Sequence, residues 1–315
     1  MEKRSLSVVL PTFNCAKLMA RHLDSMDGWA DLADEIIVVD SRSTDGTLDI
    51  IRERLRLPNV RIIERDRGLY ESWNEGIAAT SGDWIYVSTA GDTIERAQLL
   101  KLMRAGIEAE ADVIISPCRF VDEDGQEMPG ADSRNPEILR GARGGALLLA
   151  PPGVRDYIAL GANVRGLLGS YASDLFRGEF LRARPLPVEY GTHGDSAWAL
   201  RHAHEMRLCV VAEIGSTFCC HRKERVESKR DLAEVFDRMY ATEIRRGGHL
   251  PGLALSLKVR AWRAQRRQLM GKGRFLPGLW ASLTWLFLRV LLSVTQAPRN
   301  LRRYGAAKPL AAKAR

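Results

Sequence analysis

The stretch GLYESWNEGIAATSGDWIYVSTAGDT, from Gly68 to Thr93, contains a helix pattern, a turn, a strand pattern and an acidic loop in succession. Residues 71–79 favour a helix, which the breaker pair Ser81-Gly82 ends. The β-branched and aromatic run from Trp84 to Val87 then predicts a buried strand. Because open α/β sheets bind their ligands beyond the C-terminal ends of their strands, Asp92 is the first candidate for chemistry.

A structural interpretation of Asp92 competes with the chemical one. The residue could cap a helix that begins near Ile94, since an aspartate before a first turn that contains a glutamate is a common start signal. The rest of the chain decides which interpretation has more support.

The chain before this stretch alternates strands with helices. Leu6 to Leu10 predicts a strand that is followed by a helix from about Ala16 to Met26, and Glu35 to Asp40 predicts a strand that is followed by a helix from Leu48 to about Leu55. Val60 to Glu64 predicts a third strand. This alternation predicts an α/β fold with a Rossmann-like, mainly parallel sheet. The glycine fingerprint of dinucleotide-binding enzymes is absent from the first two turns, which leaves an NAD-dependent oxidoreductase with little support.

Two residues near the ends of these strands can recognise a nucleotide. The aromatic face of Phe13 can stack on a base, and the carboxylate of Asp40 can accept a hydrogen bond from a ring N–H or a ribose hydroxyl. Each residue also has a purely structural interpretation. Asp40 could form an Asx-turn or cap a helix, and Phe13 could pack in the core.

Three segments resemble the successive nucleotide-sugar motifs of family-2 glycosyltransferases with the GT-A fold: SVVLPTFN (Ser7 to Asn14), EIIVVDSRSTDGT (Glu35 to Thr47) and the stretch from Gly68 to Asp92. Their order and spacing are also similar to those of the family. The resemblance implies that a nucleotide-sugar is the donor and co-substrate. The donor-binding residues implied by the matching motifs are Pro11, Thr12, Phe13, Asp40, Gly68 and Asn74.

The resemblance also implies that the acidic loop holds a divalent metal, Mg²⁺ or Mn²⁺, on the donor diphosphate. Many members of the family carry two aspartates in this loop, whereas this chain has Ala90-Gly91-Asp92 and leaves Asp92 as the loop ligand. His221 is a further candidate for a metal or phosphate contact. One carboxylate can suffice, because Mg²⁺ is commonly held by one or two carboxylates together with phosphate oxygens and water.

A second acidic residue, Asp195, lies in the segment THGDSAWALR from Thr192 to Arg201. This segment resembles the part of the family in which an acidic residue begins a helix a few positions before an arginine. The resemblance implies that Asp195 is the general base of direct transfer with inversion, which needs one base to deprotonate the acceptor hydroxyl. Trp198 is expected on the same helical face as Asp195. Alternatively, Asp195 is only a helix N-cap.

The charge of the chain is unevenly distributed. Residues 244–315 contain 16 Lys and Arg and no Asp or Glu, whereas the preceding part has a net charge of −8. Such asymmetry indicates a polyanionic partner. Lys258 to Arg274 is basic and Phe275 to Ala297 is apolar apart from Arg289, which favours a helix lying on an anionic membrane surface. A single transmembrane span and a helical pair packed on the catalytic domain are the alternatives. Nucleic acid is not an expected partner, because no nucleic-acid-binding module is recognisable.

The sequence therefore predicts two parts. A GT-A domain is expected over residues 1–243, with a donor half of about 1–125 and an acceptor half of about 126–243, followed by a basic, apolar helical extension over 244–315 that associates with the membrane. Five irregularly spaced cysteines and a short N-terminal apolar run favour a cytoplasmic location at the inner face of the membrane. The predicted function is an inverting glycosyltransferase with a glycan or polyprenyl-linked acceptor. The alternative is a degenerate nucleotide-sugar-binding protein without turnover.

Overall fold

The structure is a computed structural model that describes residues 4–128, 141–142, 145–151, 154, 168, 171–220, 234–236, 238–239, 242–243, 246 and 283. Its strands and α-helices are β1 Leu6–Thr12, α1 Ala16–Met26, β2 Glu35–Asp40, α2 Thr47–Arg54, β3 Val60–Glu64, α3 Leu69–Ala78, β4 Trp84–Val87, β5 Thr93–Ile94, α4 Arg96–Ala109, β6 Val113–Ile115, β7 Arg119–Val121, β8 Ala146–Leu149, β9 Asp174–Arg177, α5 Gly178–Arg182, α6 Gly194–His202, β10 Leu208–Val211 and β11 Ser216–Cys219.

Among the described residues, eight strands form one sheet in the order β3-β2-β1-β4-β9-β6-β10-β8. The first four are mutually parallel, which confirms the Rossmann-like half that the strand and helix alternation predicts. β9 is antiparallel to both of its neighbours, and β8 is antiparallel to β10. The sheet is therefore mainly parallel on the N-terminal side and mixed where the second half of the chain completes it.

Two apolar clusters cover the two faces of this sheet. In β1, Val8 and Leu10 pack in the cluster that contains the buried side chains of α1 and α4, whereas Val9 packs in the cluster that contains those of α3 and α6. A strand covered on both faces needs apolar residues at every position. This requirement explains why the first two strands show no alternation of polar and apolar residues.

Helix α3 lies very close to the sheet. A Cβ atom at Gly76 would lie 2.5 Å from Cγ1 of Val9 and 2.9 Å from Cγ2 of Val39, so a larger residue would push the helix outwards. The N-terminus of α3 follows the end of β3, and the helix therefore begins at the edge of the sheet where the parallel strands end.

The segment after Asp92 differs from one sequence interpretation. Thr93 and Ile94 form β5, which pairs with β11, and α4 begins at Arg96 with Glu95 in the N-cap position. Asp92 is therefore not the cap of a helix starting near Ile94, and that alternative is wrong. The short strand forms because β11, a distant part of the chain, supplies its hydrogen-bonding partner.

Several expectations concern residues that the structure does not describe. The tail over residues 244–315, apart from residues 246 and 283, and the candidate ligand His221 lie outside the described residues. Within the described part, none of the helices combines the length and the apolar character that crossing a bilayer requires. The domain boundaries near residues 125 and 243 stay predictions.

Candidate active site

The candidate site lies at the edge of the sheet where β1, β2 and β4 end. Thr12 and Asp40 are register partners at the ends of β1 and β2. The N–H of Ser88, the first residue after β4, donates to the carbonyl of Val9 at 2.8 Å, so the acidic loop leaves from the same edge. The structure thus brings together the strand ends that carry Thr12, Asp40 and Asp92.

The loops after β1 and β2 are joined to each other. The N–H of Asn14 donates to Oγ of Ser43 at 2.9 Å, and the N–H of Thr44 donates to Oδ1 of Asn14 at 2.9 Å. Asn14 and Arg42 adopt left-handed backbone conformations, with φ of 45° and 53°. Non-glycine residues keep such conformations where surrounding contacts hold them, and such positions cluster at ligand sites.

The carboxylate of Asp40 is fully buried and firmly oriented. Its Oδ1 accepts hydrogen bonds from Oγ1 of Thr12 at 2.7 Å and from Oγ of Ser43 at 2.6 Å, and its Oδ2 accepts from the N–H of Ser43 at 2.7 Å. The last bond is a local side-chain-to-backbone contact of the kind that the structural interpretation expects. A carboxylate oxygen has two acceptor sites, so Oδ2 has the capacity for a second bond, and contact of this buried group with a donor stays a prediction.

Phe13 presents its ring at the surface. It is 39% exposed, and the guanidinium carbon of Arg67 lies 4.5 Å from the ring centroid. The interpretation of Phe13 as a core residue is therefore wrong. An exposed aromatic face at the edge of the sheet where ligands bind is suited to stacking on a base. The guanidinium of Arg67 already forms a cation–π contact with this ring. Pro11 is half-buried in β1, two residues before Phe13.

Gly68 and Asn74 belong to the beginning and the middle of α3. The carbonyl of Gly68 accepts from the N–H and the Oγ of Ser72, at 3.1 and 2.6 Å. The side-chain amide of Asn74 donates to the carbonyl of Leu186 and accepts from its N–H, both at 2.8 Å. Asn74 thus fastens α3 to the chain after α5, and its contact with a donor stays a prediction.

Asp92 is buried, with 3% of its surface exposed. Its Oδ1 accepts from the N–H of Cys219 at 2.8 Å, and its Oδ2 accepts a short hydrogen bond from Oγ1 of Thr89. The contact with Cys219 joins the acidic loop to the end of β11, two residues before His221 in the sequence.

The described residues could hold a divalent cation only together with ligands such as phosphate oxygens and water. The described part of the chain contains no group of three or more His, Cys, Asp and Glu side chains that could hold a metal by itself. Asp92 offers one carboxylate, which also accepts from the N–H of Cys219 and from Oγ1 of Thr89. Mg²⁺ and Mn²⁺ fit this arrangement when diphosphate oxygens and water complete the coordination.

His22 holds the acidic loop in place, a role that sequence reasoning missed. The side chain is buried in α1, with Nδ1 2.9 Å from the carbonyl oxygen of Asp92 and Nε2 3.1 Å from Oγ of Ser88. Burial lowers the pKa of His22 to about 4, and the ring is therefore neutral near pH 7. A neutral ring can donate from one nitrogen and accept at the other, so it can fix both ends of the loop.

Asp195 lies in the first turn of α6 and is half-buried. Its Oδ1 accepts from the N–H of Ser196 at 2.6 Å, and the hydroxyl of Tyr70, which donates to the carbonyl of Thr192 at 3.4 Å, lies near the carboxylate. Burial raises the pKa of Asp195 above its ordinary value, although Ser196 and Tyr70 act in the opposite direction. The N-cap position belongs to His193, so Asp195 is not merely the cap of α6. A raised pKa makes this carboxylate a stronger base than an exposed aspartate.

Gly194 allows α6 to approach the start of α3. A Cβ atom at this position would lie 2.4 Å from the carbonyl oxygen of Pro187 and 2.4 Å from Cδ2 of Tyr70. Because α3 begins at the edge where the parallel strands end, the contact places Asp195 at the same edge as the acidic loop.

Trp198 does not share this site. The indole is fully buried, donates from Nε1 to the carbonyl of Arg184 at 2.6 Å and packs edge-on against Phe176. The expectation that Asp195 and Trp198 point together is therefore corrected. The tryptophan anchors α6 in the core, while the aspartate remains at the surface of the helix end.

A separate cleft of about 640 Å³ lies at the opposite edge of the sheet, near the starts of β1 and β4. None of the candidate residues lines it. Six of its eight charged residues are paired with one another, in the pairs Arg4–Asp83, Arg177–Asp112 and Arg207–Glu110. The candidate chemistry therefore lies at the other edge.

Comparison with known proteins agrees with this geometry. Residues 7–161 match the model of the glycosyl transferase family 2. A PGL/p-HBAD biosynthesis glycosyltransferase of Mycobacterium tuberculosis is 33% identical over 106 residues, which cover 32% of this chain and 41% of the relative. The succinoglycan biosynthesis protein ExoO of Rhizobium meliloti is 28% identical over 125 residues, which cover 39% of this chain and 36% of the relative. The matched segment thus spans about two-fifths of the length of these relatives.

Solved structures with the same architecture include two forms of TarS from S. aureus. The complex with UDP-GlcNAc superposes with a TM-score of 0.61 at 17% identity, covering 90% of this chain and 81% of that one. The complex with UDP gives a TM-score of 0.60 at 18% identity, covering 84% of this chain and 74% of that one. The motifs, the sheet and these comparisons agree: residues 7–161 match glycosyltransferase family 2, and the chain has the GT-A fold.

Proposed function

We propose that this protein is an inverting glycosyltransferase that transfers a sugar from a nucleotide-sugar to a hydroxyl group of a glycan or a polyprenyl-linked acceptor. The observation that carries the proposal is the pair of carboxylates at one edge of the sheet. Asp92 is held inside the acidic loop, and Asp195 lies at a helix start with its pKa raised by burial. Two carboxylates in such different environments are suited to two different roles.

The donor nucleotide would bind at the ends of β1 and β2. Phe13 offers an exposed ring for the base, and the oriented carboxylate of Asp40 offers an acceptor for a ring N–H or a ribose hydroxyl. Pro11 and Thr12 shape the end of β1, and Gly68 brings backbone close to the start of α3. The TarS structures support this assignment of the donor, because they contain UDP and UDP-GlcNAc.

The diphosphate would lie against the acidic loop. Asp92 would hold Mg²⁺ or Mn²⁺ there, with His221 as a further candidate ligand. The cation would supply charge stabilisation for the departing nucleoside diphosphate. Within the chain, His22 and the end of β11 keep the loop in place, so that the Asp92 carboxylate is fixed before the donor arrives.

Transfer would be a single displacement with Asp195 as the base. The acceptor oxygen attacks the anomeric carbon while the bond from that carbon to the diphosphate oxygen breaks, and the acceptor proton moves to the Asp195 carboxylate. Attack from the side opposite the leaving group inverts the anomeric configuration. The N–H of Ser196 orients the carboxylate, and the desolvation that raises its pKa also strengthens the base.

The acceptor and the membrane surface belong to the same proposal. The names of the relatives refer to the biosynthesis of PGL/p-HBAD and of succinoglycan, which supports a role in glycan assembly. The basic tail over 244–315 would hold the enzyme on the anionic cytoplasmic face of the cell membrane, where polyprenyl-linked acceptors are within reach. We propose residues 1–243 as the catalytic domain, divided near residue 125 into donor and acceptor halves.

A binding protein without turnover is the second candidate, because the acidic loop carries one aspartate instead of two. The full chain, incubated with uridine-, thymidine- and guanosine-diphosphate sugars and Mn²⁺, separates the two functions. We expect one donor to raise the melting temperature and to be consumed with release of its nucleoside diphosphate. A thermal shift without consumption, either with water or with a membrane-lipid extract as the acceptor, would support the binding protein.

Asp195→Asn tests the assigned base. The variant should keep the donor-induced thermal shift and lose about 10²–10⁴-fold in turnover, which is typical of the loss of a general base. The fold should be at least as stable as in the wild type at neutral pH, since the raised pKa shows that the charged carboxylate is disfavoured in the folded state. Collapse of donor affinity with turnover retained at saturation would contradict the role of Asp195.

A further inference from the structure

Glu243, the last acidic residue of the chain, is completely buried against the last turn of α6. Its Oε2 accepts from Nε of Arg201 at 2.8 Å, and its Oε1 accepts from Nη2 of Arg201 at 2.9 Å. This two-point arrangement is the strongest geometry available to an arginine and a carboxylate. The contact joins α6 to a residue that lies 42 positions later in the sequence, just before the C-terminal segment.

Further hydrogen bonds complete the surroundings of this carboxylate. The hydroxyl of Tyr190 donates to Oε1 of Glu243 at 2.7 Å, and Nη1 of Arg246 donates to the same oxygen at 3.1 Å. Burial alone would raise the pKa of Glu243, but the bonds from Arg201 and Tyr190 outweigh it and the pKa is lowered. The carboxylate is therefore charged at neutral pH and fully compensated.

The described residues between 234 and 246 are helical and turn one face towards α6. Phe236, Met239 and Glu243 are buried, whereas Arg246 is exposed. The ring of Phe236 packs edge-on against His193, with the ring centroids 5.3 Å apart. His193 is the residue that precedes Gly194 and Asp195. One helical face therefore touches both ends of the segment that carries the candidate base.

We propose that Glu243 and Arg201 form a positioning pair, through which the beginning of the C-terminal segment holds α6 and fixes Asp195 for catalysis. The inference rests on the proposed function of Asp195. It extends the functional part of the protein beyond the donor and acceptor motifs, because Glu243, which would complete the acceptor half, is the last residue before the basic segment over 244–315.

The physical reason is the rigidity of α6 between two fixed ends. At its start, Gly194 packs against Tyr70 with no room for a Cβ atom, and at its last turn Arg201 is bound by a buried carboxylate. Removing the charge of Glu243 leaves the guanidinium of Arg201 with a weaker neutral acceptor in a desolvated place, which favours movement of the helix. A small displacement of a reacting group is enough to reduce the rate strongly.

Movement of α6 would also change the surroundings of Asp195. The titratable groups that face this carboxylate are Tyr70 on α3, Tyr171 before β9 and the neighbouring His193. If the helix start loosens, water reaches the carboxylate and its pKa falls towards the ordinary value of an aspartate. The acid limb of the rate profile would then move to lower pH.

The test compares Glu243→Gln with Glu189→Gln in the full chain. Both variants remove one carboxylate partner of Arg201, but Glu189 is 48% exposed and contacts it at 2.9 Å from the solvent side. The donor is the sugar nucleotide that the thermal-shift and consumption experiment identifies. We expect Glu243→Gln to lower kcat at least tenfold and to leave the KM for the donor within about twofold. The acid limb of the pH profile of kcat should shift to lower pH. We expect Glu189→Gln to match the wild type.

Hydrogen exchange supplies a readout that does not need turnover. Amides of α6 should exchange faster in Glu243→Gln than in Glu189→Gln, while those of α1 to α3 stay unchanged, which would show that the donor half remains folded. Arg201→Lys, which keeps the charge but loses the two-point contact, should show the same changes to a smaller extent.

The outcomes separate this inference from the proposed function. Wild-type kcat, pH profile and α6 exchange in Glu243→Gln, together with an inactive Asp195→Asn, would overturn the positioning pair alone. Loss of donor binding in Glu243→Gln would also overturn it, because the effect would then be a general loss of structure. Wild-type turnover in Asp195→Asn would instead overturn the assignment of the base.

Discussion

Replacing Asp92 by asparagine or alanine separates its two roles in the acidic loop. The buried carboxylate accepts from the N–H of Cys219 and from Oγ1 of Thr89, so it holds the loop as well as facing the proposed diphosphate site. Asparagine keeps an oxygen for the Cys219 N–H, and the Thr89 hydroxyl can rotate to accept from the new amide. The two bonds become neutral and each weakens by about 1 kcal/mol, which the removal of a buried charge partly offsets.

Alanine has a different cost. It leaves the Cys219 N–H buried without an acceptor, at about 1–3 kcal/mol, and it removes the bond to Thr89, at about 1 kcal/mol. The expected loss is therefore about 2–4 kcal/mol for Asp92→Ala and about 1 kcal/mol for Asp92→Asn. For a domain of this size about 1 kcal/mol corresponds to about 2–4 °C in Tm. The alanine variant should therefore melt clearly below the asparagine variant.

The functional measurement is the donor-induced shift in Tm with Mn²⁺ and with EDTA. The wild type should show a larger shift with Mn²⁺, since a ligand at a hundred times its Kd adds about 2.7 kcal/mol of stability. Asp92→Asn should show the same small shift under both conditions. Asp124→Asn, which removes an exposed carboxylate from the turn that follows β7, is the matched control. A Mn²⁺-dependent shift of wild-type size in Asp92→Asn would refute the assignment of Asp92 to the metal.

Three further predictions follow from single features of the structure. Phe13→Ala should weaken donor binding by about 1–3 kcal/mol, the usual contribution of base stacking, whereas Leu57→Ala, at the same 39% exposure, should not; equal donor affinities would argue against stacking. Gly194→Ala should lower the free energy of unfolding by about 1–3 kcal/mol, because the new methyl group overpacks against Tyr70, and it should also lower turnover. Gly28→Ala, where the nearest contact of a Cβ atom is 3.7 Å, should change neither. Normal turnover in Gly194→Ala would show that the contact between α6 and α3 is unimportant for catalysis. A chain ending at Gly247 should stay folded and lose the binding to anionic vesicles that the full chain shows at low salt. Full-length protein that ignores vesicles would contradict the peripheral anchor, and binding that resists both salt and alkaline carbonate would favour a span.

The parallel half of the fold could be predicted because its signals are local. The bounds of α1, β2, β3 and β4 in the structure are those that the apolar runs and breakers predict. The strands from β5 to β11 have only two to four residues each and take partners from distant parts of the chain. Thr93 and Ile94 form β5 only because β11 pairs with them, and β9 enters the sheet antiparallel between β4 and β6. No periodicity in two to four residues specifies such pairing.

In the candidate site, too, the residues with local sequence signals could be predicted and those that depend on packing could not. Strand ends predict where Asp40 and Asp92 lie, and the structure places both at one edge of the sheet. The supporting residues depend on packing: His22 reads as one polar position on an amphipathic helix, yet it is buried behind the acidic loop. Tyr70 is part of the opening stretch, and only the approach of α6 shows that it contacts Asp195. The three-residue spacing of Asp195 and Trp198 predicts a shared helical face, but it does not predict that Trp198 is the one that is fully buried.

The break in charge after Glu243 gives the proposed membrane attachment a physical basis. Many exposed acids of the described part are already paired with its own arginines, in the pairs Asp24–Arg54, Asp31–Arg96, Glu64–Arg52 and Asp66–Arg42. A tail cation that docked on one of these pairs would have to displace its arginine, and exchanging one exposed pair for another gains only about 0–1 kcal/mol. Near an anionic membrane each cation contributes about 1 kcal/mol without breaking a pair, and the tail carries sixteen. Glu243 binds one of these cations, Arg246, and is otherwise satisfied inside the catalytic part by Arg201. Docking on these pairs would therefore stabilise the tail less than an anionic membrane would, and screening by salt should weaken the proposed attachment of the full chain.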